Sequence, residues 1–94
     1  MKITKEQRIR LEKKAYEIIM CQKNNFTVEE IIEELKKHIT IEEEENFVLE
    51  IVFNAIDYCL CEGCIDIVDS YSYMVNPVKQ AELYKMENNE MLNT

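Results

Sequence analysis

The chain of 94 residues has the length of one folded domain and carries a formal net charge of −8 at pH 7. One glycine and one proline exclude a glycine-rich phosphate-binding loop and favour long regular elements. The amino-terminal segment MKITKEQRIR lacks the apolar core of a secretory signal, so we expect a cytoplasmic protein whose four cysteines remain thiols.

The charges are distributed unevenly along the chain. Residues 38–78 contain no Lys or Arg, whereas Asp and Glu occur nine times in the same segment. Such a segment repels nucleic acids and anionic membranes, and it attracts a basic protein surface. We therefore expect no direct contact with nucleic acid and none with a membrane.

Two amphipathic helices are predicted in the first part of the chain. Thr4 and Gln7 form a capping box for a helix over residues 5–23, and Asn24-Asn25 follows its end. Thr27 and Glu30 predict a second cap, with Phe26 packing on Ile31, so the second helix covers residues 27–38.

The third predicted helix, over residues 41–62, is the central element. Thr40 and Glu43 repeat the capping pattern, and only a narrow stripe along the helix is polar, so most of its circumference should be covered by other elements. The four consecutive glutamates 42–45 are either a solvated helix start or a functional acidic patch.

The remainder of the chain predicts a β-hairpin and a last helix. Gly63 suits the left-handed residue that ends a helix, and alternation over residues 64–75 predicts the hairpin. Asn76-Pro77 opens a helix over residues 77–87. The single domain then spans residues 1–86, with a frayed tail at 87–94.

The predicted fold class is mainly α with one β-hairpin, an α+β arrangement. Three helices, a hairpin and a terminal helix form an order that resembles the winged-helix domain over residues 4–86. In that family the third helix usually reads the major groove and the hairpin touches the DNA backbone. Here those segments lack Lys and Arg, so the resemblance implies a winged-helix shape used for binding protein.

The cysteines and the single histidine leave several alternatives open. Cys61 and Cys64 have the C-x-x-C spacing of redox motifs, but at the end of a helix rather than at its start. A zinc site with Cys59 would need Cys21 or His38 as a further ligand. We favour thiols without a metal, and His38 as a cation at the end of the second helix. No cofactor is expected.

The leading functional hypothesis is a protein that is not an enzyme and that docks on a basic surface of a nucleic-acid-binding partner. In size and charge the chain is similar to small acidic phage inhibitors, including anti-CRISPR proteins, which implies nucleic acid mimicry. The candidate partner-binding residues are Glu42, Glu43, Glu44, Glu45, Glu50, Asp57, Asp66, Asp69, Tyr71 and Tyr73. The two tyrosines are either interface anchors or core residues that close the domain.

The alternative hypothesis is a dimeric winged-helix-like transcriptional regulator that uses the basic residues of its first helix on DNA. An enzyme is a distant third, because one histidine and no base–nucleophile pair suggest no catalytic site. For the oligomeric state we expect a homodimer through the first and last helices. The other outcome is a monomer whose leftover apolar patch is the partner site.

Overall fold

A computed structural model of the chain describes residues 3–40, 42–79 and 81. The elements, in chain order, are α1 (Lys5–Met20), β1 (Phe26–Thr27), α2 (Val28–Lys36), a 3₁₀ helix (Glu42–Phe47), α3 (Val48–Cys61), β2 (Ile65–Ile67) and β3 (Ser72–Val75). The three α-helices pack on one another, and the three strands form one antiparallel sheet. The predicted class, mainly helical α+β, is confirmed.

The first helix begins as predicted and ends earlier. The Thr4 side chain accepts a hydrogen bond from the Gln7 backbone at 3.1 Å, and the Gln7 side chain accepts one from the Thr4 backbone at 2.8 Å. The helix stops at Met20 rather than at residue 23, because the Gln22 side chain donates to the Ile18 carbonyl at 3.1 Å. This side-chain bond satisfies a carbonyl that a further helical turn would have used.

The start of α2 is also confirmed. Thr27 is the N-cap and accepts from the Glu30 backbone at 3.3 Å, while its hydroxyl donates to the Glu30 side chain at 3.2 Å. Phe26 and Ile31 are both fully buried, as the hydrophobic staple requires. The helix ends at Lys36 rather than at residue 38 as predicted, because a turn follows in which the Lys37 and His38 backbones donate to the Glu34 and Leu35 carbonyls, and the exposed His38 lies in that turn.

The predicted central helix is two elements. Residues 42–47 form a 3₁₀ helix, and α3 begins only at Val48. The physical reason lies at Thr40, whose backbone N–H and hydroxyl donate to the carboxylate of Glu44, not to that of Glu43, at 3.0 and 3.1 Å. The first turn is therefore organised around Glu44, and the predicted continuous helix over residues 41–62 was wrong in this part.

The end of α3 follows the prediction for Gly63. This residue has a φ of +73°, the left-handed conformation that glycine adopts at no steric cost. The Cys64 backbone N–H donates to the Cys59 carbonyl at 2.8 Å, and the Gly63 N–H donates to the Leu60 carbonyl at 3.1 Å. These two bonds define a Schellman motif, which ends the helix and directs the chain into β2.

The hairpin belongs to a larger sheet than predicted. Its strands, β2 and β3, pair in antiparallel register, and β1 adds a third strand on the other side of β3. Phe26, Tyr73 and Ile67 are partners across this sheet. The Phe26 and Tyr73 rings lie 5.9 Å apart, so Tyr73 closes the domain as a core residue would.

The core is formed by one apolar face of each helix and the inner face of the sheet. Its fully buried large side chains include Leu11 and Ile19 of α1, Leu35 of α2 and Ile51 of α3. Asn76 accepts from the Val78 backbone at 2.9 Å, and residues 77–79 and 81 are helical. The remainder of the predicted helix over 77–87 and the predicted tail lie outside the described residues.

Candidate protein-interaction site

The predicted acidic patch at residues 42–45 is divided by the fold. Glu42 and Glu45 are exposed and Glu43 is half-buried, whereas Glu44 is completely buried. Besides its bonds to Thr40, the Glu44 carboxylate accepts a hydrogen bond from Arg10 Nη2 at 2.5 Å. Glu44 thus holds α1 against the 3₁₀ helix and is not part of the surface that a partner meets.

A second predicted acid, Glu50, is engaged by α1 at the surface. Arg8 donates to Glu50 through Nη2 and to Glu12 through Nε, each at 2.9 Å. The carboxylate of Glu50, followed by that of Glu12, holds the pKa of the Arg8 guanidinium above its ordinary value. The charge of Arg8 is therefore compensated by two carboxylates, and this arginine leaves no basic patch beside α3.

The burial pattern of α3 shows which of its residues face outward. Glu44, Val48, Val52 and Ile56 are buried at intervals of four, and the residue after each of them is exposed. The exposed residues form a stripe that we call the acidic α3 face, consisting of Glu45, Leu49, Phe53 and Asp57. Two apolar side chains therefore lie between two carboxylates.

The apolar residues of this face were not predicted to be exposed. Leu49 is 57% exposed and Phe53 is 47% exposed, although a helix with so narrow a polar stripe was expected to be covered on most sides. Within the described residues, the helices and the sheet cover the other side of α3. The i, i+4 spacing of Leu49 and Phe53 was the available signal, but it does not distinguish a buried face from an exposed one.

Glu45 and Asp57, at the two ends of this face, are without ion-pair partners among the described residues. Glu42, one turn of the 3₁₀ helix before Glu45, has none there either. Their charges are thus compensated by solvent in this structure, and they are accessible to a cationic partner.

The candidate residues of the hairpin differ in their exposure and in their hydrogen bonds. Tyr71 is 80% exposed at the turn, while Tyr73 packs against the core. The Asp69 carboxylate accepts from the Tyr71 and Ser72 backbones at 2.8 and 2.9 Å, and these bonds hold its pKa below the ordinary value. Asp66 is exposed and accepts from the Asn76 side chain at 3.4 Å. The hairpin therefore exposes Tyr71 and Asp66, while Asp69 shapes the turn.

An open groove of about 640 Å³ runs between α1 and α3. Tyr16 and Tyr58 meet edge to face in it, with ring centroids 6.1 Å apart. Partial burial, followed by the neighbouring Cys64 thiol, raises the pKa of Tyr16. The carboxylates in the groove are those of Glu12 and Glu17, which pair with Arg8 and Lys14. Lys13 also lines the groove and has no ion-pair partner among the described residues, so the unpaired charge of the groove is positive, unlike that of the acidic α3 face.

The cysteines are divided between the surface and the core. Cys21 and Cys61 are exposed, whereas Cys59 and Cys64 are buried. Burial, followed by the proximity of Cys64, raises the pKa of the Cys59 thiol to about 12, which disfavours the thiolate that redox chemistry and metal binding need. Among the residues that the structure describes, no three His, Cys, Asp or Glu side chains are grouped to hold a metal ion.

Comparisons with family models, with curated proteins and with solved structures gave no match to this chain. Within the described part of the chain, no helix is both long and apolar enough to cross a bilayer. The functional argument therefore rests on the chemistry of the exposed residues.

Proposed function

We propose that the protein is a non-enzymatic interaction module that docks on a basic surface of a protein partner. The observation that carries this proposal is the acidic α3 face, on which exposed Leu49 and Phe53 lie between Glu45 and Asp57. An apolar centre within a charged rim is the composition of a protein interface. Contiguous exposed apolar surface surrounded by polar residues is a feature of interaction sites.

The charge of this surface determines which partners are compatible with it. Phosphate groups need cations for affinity, and no Lys or Arg occurs in residues 38–78, which include α3 and the hairpin. A basic surface that normally binds nucleic acid is attracted instead, so occlusion of such a site is the proposed mode of action. Inhibition of the anti-CRISPR type belongs to this class of action, and a cytoplasmic location is part of the proposal.

Fewer of the predicted residues remain as candidate contacts than the sequence suggested. We keep Glu42, Glu43, Glu45 and Asp57 as contacts of α3 and its 3₁₀ helix, with Asp66 and Tyr71 as contacts of the hairpin. Buried Glu44, core-packed Tyr73, arginine-bound Glu50 and the turn residue Asp69 are assigned structural roles. Leu49 and Phe53 are added.

The proposal is tested by affinity capture from a lysate of the source cells. We expect wild-type protein to retain a basic partner that salt releases, because exposed charges are screened at high ionic strength. Phe53→Ser should lose the partner, and Ile9→Ser, which changes an apolar side chain on α1 that is 41% exposed, should retain it. Equal capture by wild type and Phe53→Ser would contradict the proposal.

The alternative function is a dimeric winged-helix-like regulator. The order of three helices followed by a hairpin supports a winged-helix-like shape. The proposed dimer interface through the first and last helices has less support. The helix α1 buries Leu11, Ala15 and Ile19 inside the protein and exposes only Ile9 among its large apolar residues. The predicted last helix lies mostly outside the described residues. Salt-sensitive submicromolar binding of a DNA duplex, measured by fluorescence anisotropy, would favour the regulator.

A further inference from the structure

We infer that the element of the partner that docks on the acidic α3 face is a single amphipathic helix with two apolar residues between two cations. This inference rests on the proposed function and specifies the partner. It follows from the order of chemical groups along the face, which is carboxylate, apolar, apolar, carboxylate over Glu45, Leu49, Phe53 and Asp57.

The spacing of these groups matches that of another helix. Leu49, Phe53 and Asp57 are four residues apart on one α-helix, so each step along the axis is about 6 Å. Glu45 lies four residues before Leu49, on the 3₁₀ helix that precedes α3, and its side chain is exposed. A partner helix that crosses α3 at about −50°, the angle at which the rows of residues four apart on two helices run in the same direction, would present residues at the same steps if they too recur every four positions. The matching stripe is cation-x₃-apolar-x₃-apolar-x₃-cation.

The same order disfavours a second copy of this chain as the occupant. The order of carboxylates and apolar side chains is the same from either end of the face. Two copies would therefore place carboxylate near carboxylate whether their helices ran parallel or antiparallel. Repulsion between like charges opposes that pairing. A partner with the same apolar pair but cations at both ends removes the repulsion in both orientations.

Charge also separates a basic helix from nucleic acid. A phosphate backbone would bring anions against Glu45 and Asp57, while Leu49 and Phe53 would gain no apolar partner from it. The nearby Arg8 is compensated by Glu50 and Glu12 and does not change this result. Only a partner that supplies both cations and apolar side chains satisfies the four groups together.

The test uses the full chain and synthetic helical peptides labelled with fluorescein. The first peptide carries the stripe Lys-x₃-Leu-x₃-Leu-x₃-Lys on an alanine and glutamine background. A second replaces the two lysines by glutamate, and a third replaces the two leucines by glutamine. We expect the first peptide to bind in an anisotropy titration and each of the others to bind at least about tenfold more weakly, since both charge and apolar contact are required.

Variants of the protein locate the binding. Phe53→Ser should weaken binding of the first peptide by about tenfold, the effect of removing a central interface side chain. Ile9→Ser is the matched control on α1 and should leave binding unchanged. Asp57→Lys should reverse the charge preference at one end of the face. This variant should bind a peptide with Lys at one end of the stripe and Glu at the other more tightly than it binds the peptide with two lysines. Circular dichroism verifies that each variant remains folded.

Three outcomes overturn the inference. The first is equal binding of the lysine and glutamate peptides, and the second is an unchanged preference in Asp57→Lys. The third is no binding of the helical peptide while polylysine, a coil at neutral pH, binds the wild type in a salt-sensitive way. That third outcome rejects the helical partner and leaves the proposed acidic docking intact, whereas absence of binding to both probes rejects the docking as well.

Discussion

Arg10 of α1 and Glu44 of the 3₁₀ helix form an ion pair in which the two partners have unequal environments. Their side chains meet at 2.5 Å, and Glu44 is fully buried while the Arg10 side chain is 42% exposed. Arg10 also donates to the His38 carbonyl at 3.3 Å, and Thr40 donates twice to Glu44. One carboxylate thus joins α1, the turn after α2 and the start of the third helical segment.

We expect Glu44→Gln to destabilise the protein by about 2 kcal/mol. The substitution keeps the size of the side chain and removes the charge that strengthens its hydrogen bonds, which are worth about 1.5–3 kcal/mol when one partner is ionised. Glu45→Gln is the matched control, because Glu45 is exposed and has no ion-pair partner among the described residues, and it should change stability by less than about 0.5 kcal/mol. Urea unfolding followed by circular dichroism measures both. A Glu44→Gln midpoint equal to those of wild type and Glu45→Gln would show that the charge of Glu44 adds nothing to stability.

Gly63→Ala should also destabilise the fold, for a reason confined to the backbone. Apart from Gly63 and its two chain neighbours, no heavy atom lies within 4 Å of the position that an added Cβ would occupy, so crowding by other parts of the fold plays no part. The φ of +73° remains unfavourable for alanine, at a cost of about 1–2 kcal/mol. Gly63→Asn should cost less, since asparagine tolerates the left-handed region better. The order of thermal midpoints should be glycine, asparagine, alanine, and an alanine variant as stable as wild type would contradict it.

The features that the sequence predicted correctly depend on residues close together in the chain. The caps at Thr4 and Thr27 involve a residue three positions away, and the stop at Gly63 involves carbonyls three and four positions before it. Such local chemistry is visible in a pattern of side chains. The strand β1 is different, because its two residues become a strand only through pairing with Ser72 and Tyr73 far along the chain.

The exposure of the candidate residues differs from the sequence expectation in two details. Glu44 lies four residues before buried Val48, on the continuation of the buried face, so helical spacing offered a signal for its burial. A run of glutamates nonetheless predicts solvent exposure, because the sequence does not show that Arg10 pairs with Glu44 in the fold. The exposure of Leu49 and Phe53 depends on how many elements surround α3, which is a property of the tertiary arrangement and not of its sequence.

The thiols should fall into a fast and a slow class towards a disulfide reagent such as DTNB. Exposed Cys21 and Cys61 should react in the folded protein. Buried Cys59, with its pKa of about 12, should react only when the chain unfolds, because the thiolate is the reactive form. Cys64 should also react only then, because it is buried and the reagent cannot reach it. The double variant Cys21→Ser/Cys61→Ser should therefore lose the fast phase and keep the slow one in urea. A fast phase that survives in this variant would show that a buried thiol is accessible.

The last prediction concerns how the hydrogen bonds of the hairpin turn depend on pH. The Asp69 carboxylate accepts from the Tyr71 backbone, then from Ser72, and these bonds lower its pKa in the folded protein. A lowered folded-state pKa means that the stabilisation is present above the unfolded value of about 3.9 and is lost as pH falls through the folded value. Backbone amide signals of Tyr71 and Ser72 should therefore shift in NMR spectra with a midpoint below about pH 3.9.

Asp69→Asn should abolish this titration, whereas Asp66→Asn, which changes a neighbouring exposed carboxylate in the same hairpin, should preserve it. The Ile51 amide in the buried face of α3 reports global unfolding in the same spectra. Amides that titrate equally in wild type and Asp69→Asn would mean that another group, and not Asp69, controls the turn.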